Sequence, residues 1–98
     1  MELQQLRGFL AVAKTASITE ASQQLRLTPS SVSIQIKKLE QELGVRLFDR
    51  ARKGLILTGS GKILLEIVLP AMESLRRAEV MVKDTAGELT GNIVIASV

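Results

Sequence analysis

The sequence predicts a mainly helical fold in which three short helices and a small β-hairpin precede one long helix. Apolar residues recur every three or four positions through residues 2–44 and again through 59–88, which is the spacing of amphipathic helices. Between these segments, short apolar runs flank a turn that contains glycine, a pattern typical of a hairpin. With 98 residues, the chain is long enough to enclose one modest core.

The first helix is predicted over residues 2–14, where Leu6 and Leu10 share one face. A second, short helix is expected to begin after Ser17 with a capping box. In that arrangement the Ser17 hydroxyl accepts a hydrogen bond from the amide of Glu20, and the Glu20 carboxylate reaches back to the amide of Ser17.

The third helix is predicted over residues 29–43, with Thr28 as the capping residue, Pro29 at the first helical position and Gly44 as the stop. A helical wheel gives this helix two faces. The apolar face comprises Val32, Ile36, Leu39 and Leu43, and the opposite face comprises Ser30, Ile34, Lys37, Lys38 and Gln41. Two capped helices joined by a tight turn, over residues 18–37, form the pattern of a helix-turn-helix.

The hairpin is predicted from two apolar runs, Val45–Arg50 and Leu55–Leu57. The turn between them places Arg50, Arg52 and Lys53 within four residues. A basic wing of this kind, over residues 50–54, contacts the sugar-phosphate backbone or enters the minor groove, where arginine is favoured. The alternative is that a charged tip merely keeps the hairpin soluble.

The long helix is predicted over residues 59–88, and Thr58 is a candidate for its cap. Apolar positions within it alternate by four and three, which is the spacing of a dimerisation seam. The predicted seam comprises Leu64, Val68, Ala71, Leu75, Ala78 and Val82. The alternative is a helix that packs only on its own domain. Pro70 is expected to kink the helix or force a local adjustment.

Composition and charge narrow the range of functions that the chain can have. The chain has no cysteine or histidine, so no thiolate metal site is predicted, and neither catalytic residues nor a cofactor are expected. Residues 1–62 hold ten Lys/Arg against five Asp/Glu, whereas residues 63–98 hold three against five. The excess of positive charge in residues 1–62 indicates a polyanionic partner. No apolar run reaches the length of about 18 residues that indicates a membrane span, and the cytoplasm is the predicted location.

Residues 1–58 resemble the N-terminal domain of the LysR-type transcriptional regulators, a bacterial family. The resemblance is carried by Leu6-x-x-Phe9, by Ser17-Ile18-Thr19-Glu20-Ala21-Ser22-x-x-Leu25, by the run from Thr28 to Gly44, by Leu47-Phe48-x-Arg50 and by Leu57-Thr58-x-x-Gly61. It implies a winged helix-turn-helix over residues 1–58, a linker helix that dimerises over 59–88, and a separate effector-binding domain. Residues 89–98 are expected to be the first strand of that domain, which is otherwise missing, so no inducer should bind here.

The predicted partners are therefore double-stranded DNA, as an inverted-repeat operator, and further copies of the chain as a homodimer or higher oligomer. The predicted DNA-binding residues are Thr28, Pro29, Ser30, Ser31, Ser33, Ile34, Gln35, Lys37, Lys38, Arg50, Arg52 and Lys53. Pro29 and Ile34 depart from the family, which often carries polar residues at these positions. An exposed isoleucine there predicts contact with a thymine methyl.

Three alternatives stand beside this prediction. A dimerising protein–protein interaction module would explain the heptads but not the clustered cations. Single-stranded RNA binding depends on exposed aromatic rings, and the two aromatic residues, Phe9 and Phe48, both fall in core patterns. A hydrolase would need converging carboxylates, whereas Glu40 and Glu42 are two residues apart on a helix and diverge.

Overall fold

The computed structural model describes residues 1–51 and 54–88. The elements in order are α1 (Leu3–Thr15), α2 (Ile18–Leu25), α3 (Pro29–Leu43), β1 (Phe48–Ala51), β2 (Gly54–Leu57) and α4 (Gly59–Glu88). The mainly helical architecture that the sequence predicts is therefore confirmed. Arg52, Lys53 and the strand expected within 89–98 lie outside the described residues.

The turn between α1 and α2 keeps half of the predicted capping box. Ser17 Oγ accepts a hydrogen bond from the amide of Glu20 at 3.1 Å, as expected. The amide of Ser17, however, donates to Thr15 Oγ1 at 3.2 Å, so the predicted return bond from Glu20 is wrong. The chain reverses at Ala16, whose φ of 55° is left-handed, and this turn brings the Thr15 hydroxyl close enough to take the place of the carboxylate.

Both ends of α3 agree with the sequence. Thr28 Oγ1 accepts a hydrogen bond from the amide of Ser31 at 3.1 Å. Pro29 occupies the first helical position, where its missing N–H costs no hydrogen bond within the helix. At the other end Gly44 adopts a left-handed φ of 74°, and its amide donates to the carbonyl of Glu40 at 2.8 Å. Local side-chain chemistry thus fixes where α3 begins and ends.

The core lies between α1, α2 and α3 and is sealed by the hairpin. Phe9, Val12, Val32 and Leu39 are fully buried, and the rings of Phe9 and Phe48 are tilted at 49° with centroids 5.5 Å apart. Leu43, expected on the buried face, is 37% exposed, so that prediction is wrong. It is the last residue of α3, where the helix has passed the edge of the core.

The hairpin is shorter than the sequence predicts. β1 and β2 pair antiparallel from Phe48 opposite Leu57 to Ala51 opposite Gly54. The predicted strand start at Val45 is wrong, because the preceding amides donate to α3 instead of to β2. The amide of Val45 bonds the Glu40 carbonyl at 3.3 Å, and that of Leu47 bonds Glu40 Oε2 at 2.7 Å.

The start of α4 depends on Thr58 and Gly61. Thr58 Oγ1 donates to the carbonyl of Arg46 at 2.6 Å and accepts from the amide of Gly61 at 3.0 Å. A Cβ on Gly61 would lie 2.3 Å from the carbonyl oxygen of Leu47. This glycine disfavours a helix by propensity, yet the close approach of α4 to the hairpin requires it. The helix continues through Pro70 without a break.

The two halves of α4 differ in their packing. Val68 is 4% exposed, and Leu64, Leu65, Leu69 and Met72 pack against the core of the same chain. The assignment of Val68 to an intermolecular seam is therefore wrong, and Leu64 is also partly used within the chain. The described side chains beyond Met72, through residue 86, are all exposed. Within residues 1–51 and 54–88, no helix combines the length and apolarity needed to cross a membrane.

Gly61→Ala should lower the free energy of unfolding by about 1–3 kcal/mol, because the added methyl group meets the backbone of Leu47, which cannot rotate away. The matched control is Gly59→Ala, two residues earlier, where a Cβ meets nothing within 4 Å. Urea denaturation followed by circular dichroism should show Gly59→Ala at or above the stability of the original chain. Equal stability of the two variants would contradict the proposed close approach.

Candidate nucleic-acid interface

One face of α3 is free of contacts with the core. Ser30, Lys37, Lys38 and Gln41 are exposed, and Ile34 is 53% exposed among them. The wheel-based division of the helix is confirmed on this side. A helix that presents short polar groups, one aliphatic side chain and flanking lysines has the chemistry of a surface that reads base edges and phosphates.

The N-terminal turn of α3 is held in a fixed conformation. Thr28 Oγ1 accepts from the Ser31 amide and donates to Ser31 Oγ at 2.9 Å, while Pro29 is exposed at the first helical position. This end of the helix carries the partial positive charge of the aligned peptide dipoles. It therefore favours an anion such as a backbone phosphate.

Two predicted contacts lie away from the exposed face. Gln35 is half-buried, and its Oε1 is buried without a hydrogen-bond partner among the described residues. A Cβ on Gly8 would lie 3.2 Å from that oxygen, so the Gln35 amide packs against α1. Ser33 is also half-buried and faces the hairpin. The structure therefore groups Ile34 with Ser30 and the lysines, but not with Gln35.

A cleft with a volume of about 100 Å³ separates α3 from the hairpin. Its polar lining consists of Ser33, Lys37, Glu40, Arg46 and Arg50. Ser33, Lys37 and Glu40 are four and three residues apart along α3 and therefore lie on one side of the helix, a grouping that the sequence analysis did not make. Arg46 could not be assigned from the sequence, because only the tertiary fold brings the segment before β1 beside Lys37.

Glu40 ties the hairpin to α3. Its Oε2 accepts hydrogen bonds from the amides of Leu47 at 2.7 Å and Phe48 at 3.4 Å. Side chains alternate along a strand, so Phe48 and Arg50 share one side of β1 while Asp49 points to the other. With Phe48 buried in the core, Arg50 is directed to the cleft and Asp49 is directed away from it.

The described residues contain no cluster of three or more His, Cys, Asp or Glu side chains that could hold a metal ion. The residues that converge at this surface are cations and hydroxyls. Their chemistry suits the binding of an anionic polymer.

The family profile described as "Bacterial regulatory helix-turn-helix protein, lysR family" matches residues 3–62. An HTH-type transcriptional regulator in the ibpB-leuC intergenic region of Azotobacter vinelandii is 40% identical over 100 residues, covering 99% of this chain and 67% of the relative. The RuBisCO operon transcriptional regulator of Allochromatium vinosum is 36% identical over 96 residues, covering 98% of this chain but 32% of the relative.

Two solved structures of DNA-binding domains are also similar to this chain. The chain is similar to the CbnR DNA-binding domain in complex with DNA, with a TM-score of 0.77 and 31% identity over 88% of this chain and 99% of that one. It is also similar to the BenM DNA-binding domain bound to catB site 1 DNA, with a TM-score of 0.82 and 31% identity over 88% of this chain and 97% of that one. Both similar domains were solved in complex with DNA.

Glu40→Ala should lower the free energy of unfolding by about 1–3 kcal/mol, because the buried Leu47 amide loses a charged acceptor. Glu40→Gln retains an acceptor oxygen and should lose less. Glu66→Ala, at an exposed carboxylate on α4, is the control for removing a negative charge from a helix. Thermal unfolding by circular dichroism ranks the three variants. A Glu40→Ala midpoint equal to that of Glu66→Ala would show that the tie contributes nothing.

Proposed function

The chain belongs to the lysR family of bacterial regulatory helix-turn-helix proteins, and from this premise we propose how it acts as a sequence-specific DNA-binding transcription regulator. Its α3 enters the major groove of duplex DNA, and the hairpin lies on the neighbouring backbone or in the minor groove. The observation that carries this proposal is the exposed face of α3, with Ile34 and short polar groups between lysines, held beside a cationic hairpin by Glu40.

The roles of the side chains follow from their chemistry. In this proposal Ser30 and Ile34 meet base edges, whereas Lys37, Lys38 and Arg50 meet phosphates; the exposure of all five side chains supports these roles. The remaining proposed contacts are Thr28, Pro29, Ser31 and Ser33, together with Arg52 and Lys53, which lie outside the described residues. Gln35 is withdrawn from the proposed contacts, because its amide packs against α1. In this proposal α3 both reads bases and contacts phosphates, whereas the hairpin contacts phosphates alone.

Ile34 gives the interface an apolar element. The side chain offers no hydrogen bond, so it distinguishes base pairs by contact with a thymine methyl group in the major groove. Its 53% exposure leaves apolar surface of the residue available for that contact. The same exposure means that the side chain contributes little to the core.

Self-association is proposed through the exposed side of α4. Leu75, Met81 and Val82 are 54%, 62% and 68% exposed, and Ile63 and Ile67 are each 64% exposed near the start of the same helix. The proposed interface, the exposed apolar stripe of α4, therefore omits Leu64 and Val68 from the predicted seam. It retains the other four predicted residues, which are Ala71, Leu75, Ala78 and Val82. A second copy covers the stripe, and the two α3 helices then reach half-sites about 34 Å apart, or a multiple of that distance, on an inverted repeat.

The chain spans about two thirds of the Azotobacter relative and one third of the Allochromatium relative. Those relatives are named as regulators and not as enzymes. The proposed activity of this chain is accordingly binding alone, and its proposed location is the cytoplasm.

Selection of bound duplexes from a random pool tests the function. The expected result is an enriched half-site repeated with two-fold symmetry, bound with an affinity that falls steeply with salt. A dimeric chain that enriches no sequence and shows no salt-dependent binding to duplexes would instead be a protein–protein interaction module. The exposed stripe of α4 is compatible with that second candidate, but the cations of the cleft favour the first.

Ile34→Ala should leave the unfolding midpoint nearly unchanged and relax preference at one base pair per half-site by about 1 kcal/mol. Competition binding with duplexes that vary one pair at a time measures this effect. Uracil in place of thymine at that pair should produce the same loss in the original chain and no further loss in the variant. If the preference persists in the variant, another residue reads that pair.

Leu75→Glu should produce monomers that retain the helical content of the original chain, because the new charge lies in the stripe and outside the core. Val68→Glu should instead unfold the chain, since Val68 is 4% exposed. Lys83→Gln changes the net charge equally at an exposed polar position and should remain dimeric. Light scattering and circular dichroism report the two properties. A dimeric Leu75→Glu would place the interface elsewhere.

A further inference from the structure

We propose that the cleft between α3 and the hairpin binds one phosphate of the DNA backbone, and that Arg46 is the residue that holds it. This inference rests on the proposed function and adds a contact that the sequence did not single out. A sugar-phosphate strand separates the major groove from the minor groove, so the strand that borders the groove occupied by α3 must cross the gap between α3 and the hairpin.

Positive charge lines this gap. Lys37 from α3, Arg46 from the segment before β1 and Arg50 from β1 all face the same cleft of about 100 Å³. Among the described residues, none of these three cations is in an ion pair. Three cations that approach from three segments, and are not neutralised by carboxylates, suit an anion between them.

The carboxylate of Glu40 also lines the cleft and must be reconciled with an anion there. Its Oε2 is directed to the backbone, where it accepts hydrogen bonds from the amides of Leu47 and Phe48. These two bonds offset part of its charge and hold the carboxylate against the backbone of Leu47 and Phe48. The cations outnumber it by three to one in the lining.

Arg46 is the best placed of the three cations. Its Nη2 donates to the carbonyl of Phe48 at 3.4 Å, which directs the guanidinium along the hairpin. A guanidinium carries five N–H donors in a planar fork, so this one bond leaves donors for a phosphate. Lys37 and Arg50 are attached to α3 and β1, whereas Arg46 lies between the two elements and is positioned by the same tie through Glu40.

The test compares Arg46→Gln, Arg46→Lys and Arg7→Gln in the 98-residue chain. Arg7→Gln is the matched control, because it removes one cation from a separate groove between α1 and α4. The probes are the duplex that the original chain selects from a random pool and a duplex of unrelated sequence. Affinity is measured between about 50 and 200 mM salt, and the slope against the logarithm of salt counts the phosphates contacted.

Arg46→Gln should weaken binding to both duplexes by about tenfold per half-site, without changing base preference, as expected for one lost charge-assisted contact. The salt slope should fall by about 0.9 per half-site. Arg46→Lys should retain the slope because it retains the charge, even though it alters the bond to Phe48. Arg7→Gln should match the original chain. Circular dichroism confirms that each variant is folded.

A neutral methylphosphonate, introduced at one backbone position at a time in the selected duplex, locates the phosphate. At one position per half-site it should weaken the original chain and have no further effect on Arg46→Gln. An Arg46→Gln slope equal to that of the original chain, or additive losses at every backbone position, would overturn the proposal while leaving the function intact. Absence of salt-dependent duplex binding by the original chain would overturn both.

Discussion

Leu47 is the residue at which α3, the hairpin and α4 are joined. Its amide donates to Glu40 of α3, its carbonyl accepts from the amide of Thr58 at 3.0 Å, and its side chain is 1% exposed. The same carbonyl excludes any side chain at Gly61. A single residue therefore relates three elements, because its amide bonds α3, its carbonyl bonds Thr58 directly before α4, and β1 begins at the next residue.

This constraint matters because the hairpin could not hold itself in place. Two strands of four residues each are at best marginally stable in water, and they depend on contacts outside the sheet. Phe48 supplies an apolar contact with Phe9, and Glu40 supplies a polar one. Since Glu40 belongs to α3, the hairpin cations keep a fixed relation to the face of α3 that carries Ile34. The proposed contacts of the hairpin with the DNA backbone are thereby linked to the proposed reading of bases by α3.

The long helix connects this interface to assembly. Its first half completes the core through Val68, whereas its second half presents Leu75, Met81 and Val82 to solvent. An apolar stripe on a helix that projects from its domain is stabilised when a second copy covers it. Because Thr58 and Gly61 fix the direction in which α4 leaves the hairpin, the geometry of the dimer and the spacing of two α3 helices are set by the same junction.

The sequence by itself determined the helix boundaries, because capping is local: Thr28, Pro29 and Gly44 bracket α3 through bonds within a few residues. Family membership and the exposure of Ile34 followed from motif and periodicity in the same way. Only the tertiary structure placed Val68 in the core, exposed Leu43, turned Gln35 toward α1 and brought Arg46 into the cleft. Periodicity identifies an apolar or polar face of a helix, but which element or molecule covers that face depends on contacts between residues far apart in the chain.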